Sequence, residues 1–394
     1  MTLSIQPIHP FPARMAPEIA FEEASSLPHP SLILDPMVGS GTVMRIISEQ
    51  GHSGVAFDMD PLSVLMTRVW TSPISTELLR KAGERVIADA SALVGDHLVL
   101  PWIDDDQETK AFVDFWFAKT QQYDLRRLSF VLQDHQGSIG DALRIALSRL
   151  IITKNGGASL ARDVSHGRPH RVRQTNDFPV MSEFRRSVSF VASRLENQPP
   201  PGNVMVAQGD ARRLEGVTTA SIDAIITSPP YLNAIDYVRG HKLSLVWLGH
   251  RIRDLRRIRQ ESIGTERGLN AGTNEVIHAV YHDMPQLSRL PRPKQRTINR
   301  YIIDMTAVLG EFARVLKPGG KAVLVVGNSC VSGVFIENTR IVTLVARQHG
   351  FALSQSRERE LPPNRRYLPP PSGRGVAALE RRMRTETVLT LIRS

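Results

Sequence analysis

The chain of 394 residues contains a single cysteine, Cys330. No intramolecular disulfide can form from it, and no multi-cysteine zinc site can be built. The sequence has no run of about 18 apolar residues, so no membrane-spanning helix is expected. The N-terminus, MTLSIQPIHPFPARMAPE, lacks the charged-then-apolar order of a secretory signal, and the expectation is a cytoplasmic protein. Neither a Walker phosphate loop nor the six-residue dinucleotide fingerprint occurs. Two of the twelve histidines, His278 and His282, have helical spacing, but no glutamate-bearing metalloprotease pattern accompanies them, so no metal centre is expected. Internal repeats are absent. At 41% hydrophobic and 22% charged residues, disorder throughout is excluded as well.

Positive charge is present in excess. Lysine and arginine number 49 against 39 acidic residues, a net charge of +10. Residues 239–300 carry +8 of that, including Arg251, Arg253, Arg256, Arg257 and Arg259. Clustered basic charge is a nucleic-acid footprint, although one basic helix taken alone also reads as a solvated face. A second basic stretch contains SLARDVSHGRPHRVR at 159–173. It is too rich in Gly, Pro and His for a helix and reads as an ordered functional loop. The nucleic-acid contacts expected from these two stretches are Arg168, His170 and Arg171 in the first, and Arg253, Arg256 and Arg257 in the second.

Local patterning predicts an α/β protein. Residues 31–36 (SLILDP) form a short buried strand, a glycine-rich turn follows, and an apolar-periodic helix runs from about Thr42 to Gln50. A second strand spans 54–58, with Asp60-Pro61 as helix cap and first helical residue. Strands resume at 204–209, 223–227 and 321–327. A helix near 302–316 ends at the stop signal Lys317-Pro318-Gly319-Gly320. Segments 351–358 and 387–393 read as an antiparallel closing pair. One doubly wound sheet is thus interrupted twice. The predicted domains are a catalytic domain of 1–70, 201–238 and 301–394, a mostly helical insertion at 71–200, and a basic insertion at 239–300. Each insertion holds one of the basic stretches and is a candidate for contacting nucleic acid.

Four runs of residues carry chemistry. Asp35-Pro36-Met37-Val38-Gly39-Ser40-Gly41-Thr42 is a glycine-rich turn between strand and helix, where backbone can approach a ligand closely. Asp35 at the strand end could accept from an ammonium group. Asp58 ends the next strand and could bond both hydroxyls of a ribose. Asp210, in Gly209-Asp210-Ala211, could accept from an adenine amine. Three aspartates at the carboxyl ends of three parallel strands suit an adenosine with a cationic amino-acid tail. Finally, Thr227-Ser228-Pro229-Pro230-Tyr231 follows a fourth strand. Its prolines stiffen the backbone and remove two N–H donors, leaving oxygen acceptors beside an aromatic ring. Such a row suits a planar ring bearing an amino group.

Together these motifs resemble the S-adenosylmethionine (SAM)-dependent DNA methyltransferases that act on exocyclic amines. The matching residues are DPMVGSGT (35–42), Asp58, GDA (209–211), TSPPY (227–231), HPFPARM (9–15) and FARVLKPGGKAVLVV (312–326). The resemblance implies a Rossmann-like class I methyltransferase sheet with SAM as cofactor. It implies SAM contacts from Phe11, Asp35, Pro36, Gly39, Ser40, Gly41, Thr42, Asp58 and Asp210. It also implies that Ser228, Pro229, Pro230 and Tyr231 hold the target base. Serine at the head of the tetrapeptide points to cytosine N4, with adenine N6 as the alternative. The implied partner is double-stranded DNA, with a cognate restriction endonuclease acting separately, and no membrane. Methylation at cytosine C5 is disfavoured: it needs a cysteine nucleophile, usually after proline, whereas Cys330 follows Asn328-Ser329 and reads as buried filler. Two other readings are a transfer-RNA guanine-N2 methyltransferase, whose motif typically has Asp before the two prolines, and a SAM-binding DNA-binding module without chemistry.

Overall fold

The computed structural model describes residues 5–11, 14–93, 98–153, 156–162, 169–232, 237–263, 275–361 and 385–394. Its strands are β1 (Leu32–Asp35), β2 (Ser53–Asp58), β3 (Ala161–Arg162), β4 (His170–Arg171), β5 (Val204–Gln208), β6 (Ile222–Thr227), β7 (Leu316–Gly327), β8 (Ser329–Val331), β9 (Val334–Ile336), β10 (Phe351–Glu360) and β11 (Thr385–Arg393). Seven form one sheet in the order β10-β11-β7-β6-β1-β2-β5. β1 is parallel to β2 and to β6, and β6 is parallel to β7. β11 is antiparallel to both β7 and β10, so the closing pair read from the sequence is present. The central strands are apolar runs: Leu32-Ile33-Leu34 in β1, Ala224-Ile225-Ile226 in β6 and Ala322-Val323-Leu324-Val325-Val326 in β7. Runs of this kind stay buried on both faces of a parallel sheet.

The helix before β7 spans Arg292–Val315, starting ten residues before the expected 302, with proline in its first turn. The Lys317–Gly320 stop signal does end this helix. It then falls inside β7, where the pairing with β6 shifts register between Ile222 and Ala224 and Gly319 adopts φ +74°. The two glycines absorb an irregularity that a β-carbon would resist.

The chain folds into two compact units. One comprises Ala13–Met59, Met205–Ile235 and Gln260–Ser394 and holds the sheet; the other comprises Met1–Pro12, Asp60–Val204 and Asp236–Arg259 and is mostly helical. The sheet unit has its own core, including Leu34, Phe57, Ile225, Tyr301, Phe312 and Leu324. The core of the helical unit includes Leu62, Trp70, Leu125, Leu147, Phe184 and Trp247.

These boundaries differ from the expected ones in two places. The helix Pro61–Thr71 packs with the helical unit because nine of its eleven residues are buried there. The basic stretch 239–300 does not form one body, because its first part is anchored by apolar residues. Trp247 packs edge-on against Phe117, with ring centroids 5.0 Å apart, and the Trp102 indole N–H donates to the Val246 carbonyl. The remainder, from Gln260, belongs to the sheet unit. Among the described residues no helix is long and apolar enough to cross a membrane.

Candidate active site

The glycine turn leaves β1 and enters the helix Thr42–Glu49. Gly39 and Gly41 have φ of +49° and +80°, the left-handed region where a β-carbon is strained. Gly41 is the N-cap and gives no side-chain cap, so the turn presents bare backbone at the start of the helix. Neighbouring strands shape this turn. The Val38 amide donates to the Phe57 carbonyl (3.0 Å) and the Gly39 amide donates to Asp58 Oδ2 (2.8 Å). Asp58 therefore braces the turn with one carboxylate oxygen, a role not visible in the sequence. Asp60 caps the helix Pro61–Thr71 by accepting from the Leu62 amide, as expected.

Asp35 is buried at the end of β1. Its Oδ1 accepts from the Thr227 hydroxyl at 2.7 Å and from the Met37 amide at 3.2 Å. Burial pushes its carboxyl up to about 7, opposed by those two hydrogen bonds and reinforced by the nearby charge of Asp58. Near neutrality this group is poised between its two protonation states.

Asp210 reaches the same edge of the sheet. The Gly209 amide donates to the Asp58 carbonyl at 3.0 Å, and a β-carbon on Gly209 would sit 2.7 Å from the Phe57 ring. All three aspartate-bearing strand ends therefore adjoin. Asp210 is held in an ion pair. Both of its oxygens accept from Arg212, whose guanidinium also bonds Asp304 (2.8 Å) and the Glu261 carbonyl (2.6 Å). Asp304 is buried and needs a counter-cation, and Arg212 supplies it while holding Asp210. Asp210 is therefore an acceptor oriented by Arg212, with its side chain still 27% exposed.

Thr227 ends β6, so the Ser228–Tyr231 tetrapeptide begins beside Asp35. The Ser228 hydroxyl donates to the Val325 carbonyl of β7 (3.3 Å). With its proton committed there, the Ser228 oxygen can only accept elsewhere. Pro229 is buried, while Pro230 and Tyr231 are half-buried. The Tyr231 ring lies on Gly327 so closely that a β-carbon on Gly327 would fall 2.7 Å from Cε2. Asn338, which is buried, steadies this strand end by donating to the Gly327 carbonyl and to the Ser329 hydroxyl, each at 2.8 Å. Gly327→Ala should push the tyrosine aside. We expect roughly a tenfold fall in the rate of methyl transfer with SAM binding retained, checked by initial rates and equilibrium dialysis; such overpacking typically costs about 1–3 kcal/mol. Equal loss of both would remove Gly327 as the seat of the ring.

The remaining predicted residues lie in the helical unit, apart from Cys330. Phe11 stacks on Tyr237 at 4.9 Å and lies 5.6 Å from His241, whose Nδ1 is paired with Asp60. Its segment is pinned by His9, bonded to the Ser148 hydroxyl, and by Arg149, which donates to the Ile8 carbonyl. Phe11 belongs to the helical unit. His170 and Arg171 are exposed in β4, with the Arg171 guanidinium 5.1 Å from the centre of the exposed Phe115 ring. Arg168 lies outside the described residues. Arg253, Arg256 and Arg257 project from the helix Ile252–Glu261. Arg253 pairs with Asp106 at 3.6 Å and Arg256 with Glu108, so part of this basic face is already neutralised. Cys330 sits in β8 and is partly exposed, not buried filler. Sequence reasoning missed Arg212 and Asp304, which lie 92 residues apart and share no motif. It also gave Thr227 no role, although the residue adjoins the tetrapeptide.

A doubly wound sheet with a glycine turn after β1 and a proline-braced acceptor row after the adjacent β6 defines the protein as a Rossmann-like, SAM-dependent methyltransferase. No family model matches the chain. It is 24% identical over 393 residues to the type II methyltransferase M.MvaI of Kocuria varians, covering 91% of this chain and 84% of that one. It is 32% identical over 365 residues to the type II methyltransferase M.AvaI of a Nostoc species, covering 81% and 73%. A solved SAM-dependent methyltransferase from Methanosarcina mazei aligns over 97% of this chain and 99% of that one, at 9% identity and a TM-score of 0.33. The chain belongs to the type II family of SAM-dependent DNA methyltransferases.

Proposed function

We propose that this chain methylates the exocyclic amine of a base at a specific site in duplex DNA, cytosine N4 in the first place, as the modification half of a restriction–modification pair. The observation that carries this reading is the 2.7 Å hydrogen bond between Thr227 and Asp35, which seats the acceptor tetrapeptide against the glycine turn.

The residues present fit SAM. The positive-φ glycines carry no side chain that would block a close approach, Asp35 would receive an ammonium, and Asp58, beside the turn, would accept from the ribose hydroxyls. Bound SAM supplies a methyl group on a cationic sulfur. The rest is the work of the chain. Ser228 Oγ and the Pro229 carbonyl accept from both N–H bonds of the amine, favouring a more tetrahedral nitrogen with its lone pair exposed. Tyr231 stacks on the ring. No covalent enzyme intermediate is needed; positioning and acceptor electrostatics carry the rate, and full alignment is worth roughly 7–11 kcal/mol. A duplex base must be flipped to reach such a site, at a few kcal/mol.

Both basic surfaces singled out in the sequence, around Arg171 and around Arg257, belong to the helical unit. This supports reading that unit as the part that grips DNA, with phosphate contacts offsetting the cost of flipping. Arg171→Ala and Arg257→Ala should each weaken DNA binding across sequences and lower the slope of log affinity against log salt by about 1. Titrations between 50 and 200 mM salt, as roughly the range in which such slopes are read, check this. Unchanged slopes would move the interface elsewhere.

The function itself is tested by incubating the chain with labelled SAM and either plasmid DNA or transfer RNA, then digesting to nucleosides. Label in N4-methylcytosine supports the proposal. Label in N6-methyladenine corrects the base, and label in transfer RNA alone rejects a DNA substrate.

A further inference from the structure

Thr227 and Asp35 lie on neighbouring parallel strands, and the register of β1 on β6 (Ile33 against Ala224, Leu34 against Ile225) brings their side chains together at the strand ends. Both are buried. The Thr227 hydroxyl and the Met37 amide both donate to Oδ1 of Asp35, which holds the carboxylate in one rotation and turns Oδ2 away from both. The residue after Thr227 is the first acceptor of the tetrapeptide. It is held in turn by its own bond to Val325. One threonine therefore joins the strand end that faces the methyl donor to the strand end that faces the methyl acceptor.

We infer that Thr227 is a positioning residue, which holds the Asp35 carboxylate toward the SAM ammonium and ties it in register with the acceptor motif. The inference rests on the SAM site proposed above. The groups facing Asp35 from the packed strands are few. β2 brings Asp58, whose negative charge disfavours ionisation, β6 brings the Thr227 hydroxyl, and the glycine turn brings the Met37 amide. Burial and Asp58 push the carboxyl up, to about 7, while Thr227 is the larger of the two hydrogen bonds opposing them. The sign follows. The ionised carboxylate is the form that pairs with an ammonium, so its contribution to SAM affinity is lost as pH drops through about 7, while the α-amino group of SAM, titrating at about 8, sets a separate alkaline limb shared by every variant. Removing the hydroxyl raises the carboxyl further and moves the acid limb to higher pH.

The test measures SAM dissociation constants of the full chain by calorimetry from pH 6 to pH 9, for wild type, Thr227→Val, Thr227→Ser, Thr227→Cys and Asp35→Asn. Wild type should weaken as pH falls through about 7. Thr227→Val should bind about fivefold more weakly at pH 7, nearly tenfold more weakly at pH 6, and converge on wild type at pH 9, which is a shift of about one pH unit. Thr227→Ser should restore the wild-type profile, and Asp35→Asn should bind weakly and lack the acid limb. Thr227→Cys, similar in size and a poor donor, carries the same expectation as valine if the valine variant does not fold. A Thr227→Val or Thr227→Cys profile that matches wild type, or that is weaker by one constant factor at every pH, overturns the inference and leaves a packing role. Failure of wild type to bind SAM at any pH overturns the proposed SAM site and the inference with it.

Discussion

Tyr231→Ala will bind SAM as wild type does and transfer methyl groups about thirtyfold to a hundredfold more slowly. The magnitude follows from aromatic–base stacking, worth about 1–3 kcal/mol per base. Separation of the two effects follows from where the ring sits. Tyr231 lies on Gly327 at the end of β7. The glycine turn, by contrast, is braced by Asp58 and by the backbone of Phe57. Deleting the ring leaves those braces untouched. Tyr231→Phe, which keeps the π-face, should stay within about threefold of wild type, because stacking rather than the hydroxyl carries the effect. Paired measurements of SAM affinity and single-turnover rate decide the matter. Equal losses in binding and rate for Tyr231→Ala would show that the tyrosine also shapes the cofactor side, and the assignment of roles would be wrong.

Arg212→Met will lower the stability of the chain by about 2–4 kcal/mol. The guanidinium lies between two carboxylates, and its removal strips an ion pair from Asp304, whose side chain is 3% exposed and which Arg300 also pairs. Stripping one partner from a buried ionic network costs more than the network contributes relative to apolar replacements, because the stranded charge has lost its water. Two variants separate this cause from lost packing. Arg212→Lys keeps the charge but cannot make the forked contacts to Asp210, Asp304 and the Glu261 carbonyl, and it should recover less than half of the loss. Arg212→Met combined with Asp304→Asn should be more stable than Arg212→Met alone, since the stranded charge is gone. Urea unfolding of the three variants provides the comparison. A loss below about 0.5 kcal/mol for Arg212→Met, within the range of ordinary surface changes, would mean that the network is not a structural element. The same variants bear on the cofactor: with Arg212 gone, Asp210 is released to accept from other donors.

Much of the site was readable because its parts are local. The glycine turn, the Asp60 cap and the proline-braced tetrapeptide each follow from the conformational limits of a few consecutive residues. The antiparallel pair β10 and β11 was readable for a similar reason, as two β-rich segments. What escaped was long in sequence and short in space. The bond from Thr227 to Asp35 joins residues 192 apart, and the bond from Arg212 to Asp304 joins residues 92 apart. Nothing in a single sequence marks such pairs. The basic stretch at 239–300 was misjudged as one body for a related reason: charge was counted along the chain, whereas Trp247 and its apolar neighbours determine what the first part packs against.

Residue order alone therefore settled the class of sheet, the places where the chain must turn, and the chemistry available at each strand end, because backbone sterics and hydrophobic runs act over a few residues. Folding in three dimensions settled what each carboxylate is bonded to. It left Asp35 buried and balanced near neutrality, committed one oxygen of Asp58 to the glycine turn, and occupied Asp210 with Arg212. The strength of a carboxylate depends on its solvation and on the charges around it, and both exist only once distant strands have been brought side by side.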